Sequence, residues 1–96
     1  MKANATKRYP LGCVVATPGA LAALEESGTS AIVYLQRHAA GDWGEVCQED
    51  KKANEFALKE GLRILSAYKL PVTSEKLWVI TEADRSATTL LLPDEY

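Results

Sequence analysis

From Leu62 onward the chain alternates with a period of two, and this restricts the fold more than any other feature. Leu62, Ile64, Ser66 and Tyr68 alternate with Arg63, Leu65 and Ala67. Lys76–Glu82 and Ala87–Leu92 repeat the pattern, separated by a loop over 70–75 and a short turn over 83–86. Strands joined this closely pair antiparallel, because a parallel neighbour needs a crossover of about a dozen residues or more. Both faces of the last two strands carry apolar side chains, Leu77 and Val79 against Trp78 and Ile80 for example. The second sheet face is therefore expected to be covered or to meet a partner.

The first half reads as one strand and three helices. Pro10–Ala16 is short, apolar and β-branched. Thr17 followed by Pro18 is a helix start, with the proline where its missing N–H is harmless. That helix runs to about Glu26 and stops at Gly28; a second, capped by Thr29 or Ser30, reaches Ala39. A third spans about Gln48–Glu60, its first turn carrying Glu49 and Asp50 against the positive end of the helix dipole. The expected inward faces are Ala20, Leu21 and Leu24; Ala31, Ile32, Leu35 and Ala39; and Ala53, Phe56 and Ala57. The predicted class is α+β, three helices packed on a three- to four-stranded mainly antiparallel sheet. The N-terminal strand is free to join an edge.

Ninety-six residues make one domain, expected over 9–96, behind a flexible basic tail at 1–8 (MKANATKR). A net charge of −2 argues against a broad nucleic-acid footprint. No apolar run approaches the ~20 residues of a membrane span, so a cytoplasmic protein without membrane contact is expected. Cys13 and Cys47 lie far apart, with no CxxC and a single histidine. Free, buried thiols are expected there, with no metal site and no cofactor.

Polar residues concentrate in two places. The segment Arg37–Gly44 holds His38, Asp42 and Trp43; the tip of the last hairpin holds Glu82, Asp84 and Arg85. An imidazole with a near-neutral pKa beside carboxylates is the equipment of general acid–base chemistry, so the catalytic candidates are His38, Asp42, Glu82 and Asp84. A guanidinium flanked by acids and hydroxyls suits bidentate capture of an anion, so the binding candidates are Trp43, Arg63, Arg85 and Thr88. Each has a plainer reading. His38 ends a helix, Asp42 and Asp84 hold loop amides, Trp43 seats its loop, and Arg85 pairs on the surface. No glycine-rich phosphate loop, HExxH, GxSxG or catalytic-cysteine context occurs.

The segments RHAAGDWGEV, Asp50–Asn54 as DxxxN, GLRILSAY and LWVITEADRSATTLLLP carry a resemblance over nearly the whole chain, from Leu11 to Tyr96. The chain resembles a group of small bacterial proteins found on plasmids and other mobile DNA. Some of these carry a label borrowed from the modification subunit of type I restriction systems. A methyltransferase needs a cofactor-binding α/β domain with a glycine-rich turn and an Asn-Pro-Pro-aromatic element; neither motif is present, and 96 residues cannot house that domain. The expectation is a small cytoplasmic, non-catalytic binding or accessory module of a mobile-element system, monomeric or homodimeric. It would contact a protein or small anionic ligand around Trp43 and Glu82–Arg85, and Arg85→Ala would leave stability within about 1 kcal/mol. The alternative is a small hydrolase or nuclease-like enzyme using His38 with Asp42, Glu82 or Asp84.

Overall fold

The computed structural model describes residues 7–96. The elements follow in the order β1 (Cys13–Ala16), α1 (Pro18–Ser27), α2 (Ala31–Ala39), α3 (Gln48–Glu60), β2 (Ile64–Lys69), β3 (Lys76–Thr81) and β4 (Ala87–Leu91), closed by a 3-10 turn, Pro93–Glu95. The strands form one sheet in the order β1-β4-β3-β2. The last three make the expected antiparallel meander, and β1 joins the β4 edge in parallel. This is the α+β class read from the sequence. Of the expected tail, residues 1–6 lie outside the described residues. Arg8 is tied down, its backbone N–H on Ala39 O at 2.8 Å and its guanidinium on Glu55.

Register places Ile64, Ser66, Tyr68, Leu77, Val79, Thr81, Thr88 and Leu90 on one face of the sheet. The three helices cover that face. Ala20, Ala23 and Leu24 of α1 and Tyr34 of α2 meet Tyr68, Leu77, Val79 and Leu90. Ala57 of α3 packs with Ile64, Trp43 and Tyr9. The opposite face carries Leu65, Trp78, Ile80, Thr89 and Leu91, with the ring of Tyr96 edge-on to Trp78 at 5.8 Å.

The helices form where expected, and Ala20, Leu24, Ala39 and Ala57 face inward as expected, but each helix exposes one large side chain expected in the core. Leu21, Ile32 and Phe56 are 56, 55 and 57% exposed. The inward stripes are Ala20-Ala23-Leu24-Ser27, Tyr34-His38-Ala39 and Asn54-Ala57. Polar residues on the inward faces of α2 and α3 (His38 and Asn54) and apolar ones outside disguise the amphipathic phase. The cysteines also differ from expectation, since both are exposed.

The outer edge of β2 is closed by side chain and loop. Asn54 donates to Leu65 O at 2.7 Å and accepts from Leu65 N at 3.2 Å, reproducing what a neighbouring strand would offer. One step along, Ala67 N donates to Trp43 O and Ala67 O accepts from Glu45 N. Gly44 sits at φ +76 in this bridge, and a Cβ there would collide with the Ala67 carbonyl and the Tyr68 ring. Asn54→Ala is expected to cost about 1–3 kcal/mol by stripping both partners from Leu65. Urea unfolding would measure it, and a loss below about 0.5 kcal/mol would show that water replaces the amide.

Candidate functional site

His38 is wholly buried, and its ring stands edge-on to Tyr9 at 5.7 Å and to Trp43 at 6.0 Å. Its two nitrogens meet hydroxyls on adjacent inward strand positions: Nδ1 lies 2.5 Å from Ser66 Oγ and Nε2 2.9 Å from Thr81 Oγ1. Thr81 Oγ1 lies 2.7 Å from Thr88 Oγ1, which lies 2.7 Å from Leu11 O. The direction of this chain follows from its last member, because a carbonyl only accepts. Thr88 therefore donates to Leu11, Thr81 donates to Thr88, and His38 donates from Nε2–H to Thr81. Nδ1 is left bare and accepts from Ser66. Every proton is used once with a neutral imidazole.

Burial, reinforced by the Arg85 guanidinium, pushes the His38 pKa down to about 4. The imidazole is thus an uncharged strut joining α2 to β2, β3 and β4. Tyr9 supports it from beneath, donating its hydroxyl to His38 O at 2.8 Å.

Trp43 and Thr88 pack around or link to His38, but none of the carboxylate candidates hydrogen-bonds its ring. Asp42 accepts from Arg37 Nε at 2.7 Å and from Gly44 N at 3.2 Å, and these bonds hold its carboxyl below the usual range. Trp43 is 4% exposed, with its indole N–H on Glu55 at 3.2 Å. Asp84 accepts from Ser86 N at 3.0 Å, the turn-holding role. Glu82 is exposed, and its backbone rather than its carboxylate engages the turn. Arg63 lies over the Tyr96 ring at 5.6 Å, on the far face of the sheet.

Arg85 answers against its expected surface role. Its backbone adopts φ +62 in the β3–β4 turn, which aims the side chain at the C-terminal end of α3. Nη1 donates to Leu62 O at 2.6 Å and to Glu82 O and Ala83 O at 3.1 Å; Nη2 donates to Ala57 O at 3.1 Å. The group collects carbonyls and meets no carboxylate, tying the hairpin to the helix end, where a cation also complements the dipole.

The outward-facing feature is a groove of about 550 Å³ between α2 and the N-terminal strand. Leu11 and Val14 line one side and Ile32, Val33 and Leu35 the other, with Arg37 and Asp42 on its margin. Val14, Ile32 and Val33 are 45, 55 and 43% exposed. The sequence signal for it was present in the apolar pair Ile32-Val33, of which the expected helix phase placed Ile32 in the core. Ser66 and Thr81 were legible as polar residues at inward positions of alternating strands. Tyr9, Asn54 and Glu55 had no such signal.

Among the described residues no three His, Cys, Asp or Glu side chains converge as a metal site would need, and no helix is long and apolar enough to cross a membrane. Comparison with protein-family models, curated proteins and solved structures finds no match.

Proposed function

We propose that this protein is a small non-catalytic binding or accessory module, acting in the cytoplasm, whose contact surface is the apolar groove between α2 and β1. One contrast carries the reading. The polar candidates His38, Asp42, Trp43, Thr88 and Arg85 are spent on internal hydrogen bonds, whereas apolar Val14, Ile32 and Val33 face outward around a cavity of about 550 Å³. Concave, mostly apolar sites with a few polar groups on the rim are where proteins hold ligands and partner segments. The resemblance to proteins of plasmids and mobile DNA supports placing the module in such a system. Hydrolysis using His38 finds no support in a ring sealed from solvent with hydroxyls on both nitrogens.

An anilinonaphthalene sulfonate dye tests the surface. It is expected to bind the folded protein saturably, and Val33→Glu is expected to weaken that binding at least tenfold. The exposed position predicts a stability change within about 0.5 kcal/mol. Unsaturable binding, or full binding in the variant, would place the contact surface elsewhere.

A further inference from the structure

The sheet has two edges, and they are treated differently. The β2 edge is closed by Asn54 and by the Trp43–Glu45 bridge. On β1, the amides of Cys13 and Thr17 donate to Ser86 O and Leu90 O at 2.9 and 3.0 Å. Backbone groups alternate along a strand, so the N–H and C=O of Val14 and Ala16 point out of the sheet. Among the described residues nothing donates to them or accepts from them. The usual protections of an edge are missing too. Cys13-Val14-Val15-Ala16 holds no charge and no proline, and Val14 and Val15 are about half exposed.

We infer that the open edge of β1 pairs antiparallel with β1 of a second copy, about a two-fold axis at Val15, to make one eight-stranded sheet. In that register Val14 lies opposite Ala16 of the second copy and Ala16 opposite its Val14. Each pair exchanges both backbone hydrogen bonds, so all four outward N–H and C=O groups on each strand are satisfied. Val15 faces Val15 across the axis in a non-hydrogen-bonded pair, where β-branched side chains pack well.

Three observations favour a second copy over an unrelated strand. The occupant must itself offer outward donors and acceptors at two-residue spacing, and β1 does. No like charges meet, since β1 carries none. The closed β2 edge stops growth after two copies, so the contact is isologous and finite rather than fibrous. The axis stands perpendicular to the sheet and leaves the helices of both copies on one face, with the two α2 grooves flanking the axis. A four-residue edge is a small contact, so the dimer belongs to the weak class that dissociates on dilution. The inference uses the groove only for its location, and an empty groove would leave it standing.

Two measurements decide. In sedimentation equilibrium of the full chain from about 10 μM to 1 mM, weight-average mass is expected to rise toward twice the monomer, in keeping with a weak interface. Val14→Pro removes an outward N–H while residues 13, 15 and 17 keep the β4 ladder, and is expected to lower association at least tenfold with the melting transition retained. The second measurement uses a Cys13→Ser, Cys47→Ser background under mild oxidation. Val15→Cys is expected to form a covalent dimer, because facing Cα atoms in such a pair lie about 4.5 Å apart. Val14→Cys is expected to stay monomeric, since its own copy across the axis is displaced by two residues, beyond the ~7 Å disulfide limit. A wild type that remains monomeric at 1 mM, or equal crosslinking at both positions, would overturn the pairing. Dye binding measured at low micromolar concentration, where monomer prevails, reads the groove separately.

Discussion

Acidification from pH 8 to pH 5 is expected to remove about 2 kcal/mol of folding stability through His38 alone. The folded pKa of about 4 lies below the ordinary 6.5, so the unfolded chain binds the proton more readily. Stability from this group is complete above pH 6.5, falls as pH drops through 6.5 toward 4, and then changes no further. The whole window is worth about 3 kcal/mol. Asp42 and Glu55, whose carboxyl pKa values are lowered first by their arginine partners, add their own losses at still lower pH. His38→Gln isolates the contribution, because glutamine stays uncharged throughout. Urea titrations at pH 8 and pH 5 are expected to show the wild type losing about 2 kcal/mol more than the variant. Equal losses would mean that the imidazole is hydrated in the folded state. His38→Ala is the harsher change: it strips the partners of Ser66 and Thr81 and leaves a cavity, with an expected cost of about 3–5 kcal/mol at neutral pH.

Arg85→Ala is expected to destabilise the fold by about 2 kcal/mol or more. Four carbonyl contacts are lost, and the last turn of α3 is released from the β3–β4 hairpin. Ala57 O keeps its bonds from Gly61 N and Leu62 N, which limits the damage. Arg85→Lys should recover little, because one ammonium cannot reach Leu62 O and Ala57 O as the fork does. Thermal melts of both variants would measure this; a loss under about 0.5 kcal/mol would return Arg85 to the surface role that its neighbours in sequence suggest.

The meander was legible because period-two alternation leaves close-set strands few pairings, and Pro18, Gly28 and Gly61 punctuate the helices where they start and stop. Helix phase was legible only in part, since Ala20, Leu24, Ala39 and Ala57 face inward as expected while Leu21, Ile32 and Phe56 do not. The inward sides of α2 and α3 are marked by His38 and Asn54, whose burial depends on hydroxyls and backbone groups supplied by β2 and β3. Such residues resemble surface polarity until their partners are placed. Arg85 misled for a related reason: among Glu82, Asp84 and Ser86 it looks paired in a turn, and only its positive φ and the approach of α3 turn it toward carbonyls. Asp84 and Trp43, offered as catalytic and binding candidates, take their plainer readings: Asp84 holds its own turn, and Trp43 seats its loop against Glu55 of α3 and the cluster of Tyr9, Ala57 and Ile64.

The parallel pairing of β1 with β4 has a consequence for how the chain is made. Cys13 lies opposite Ala87, 74 positions later (87 − 13). β1 thus leaves a ribosome well before the strand that pairs with it, and it waits while three helices and two strands are synthesised. Throughout that interval both edges of Cys13–Ala16 are unpaired, in a segment with no charge to discourage strangers. Slow translation between Gly61 and Leu91 therefore lengthens the period in which a nascent chain is most prone to capture by another.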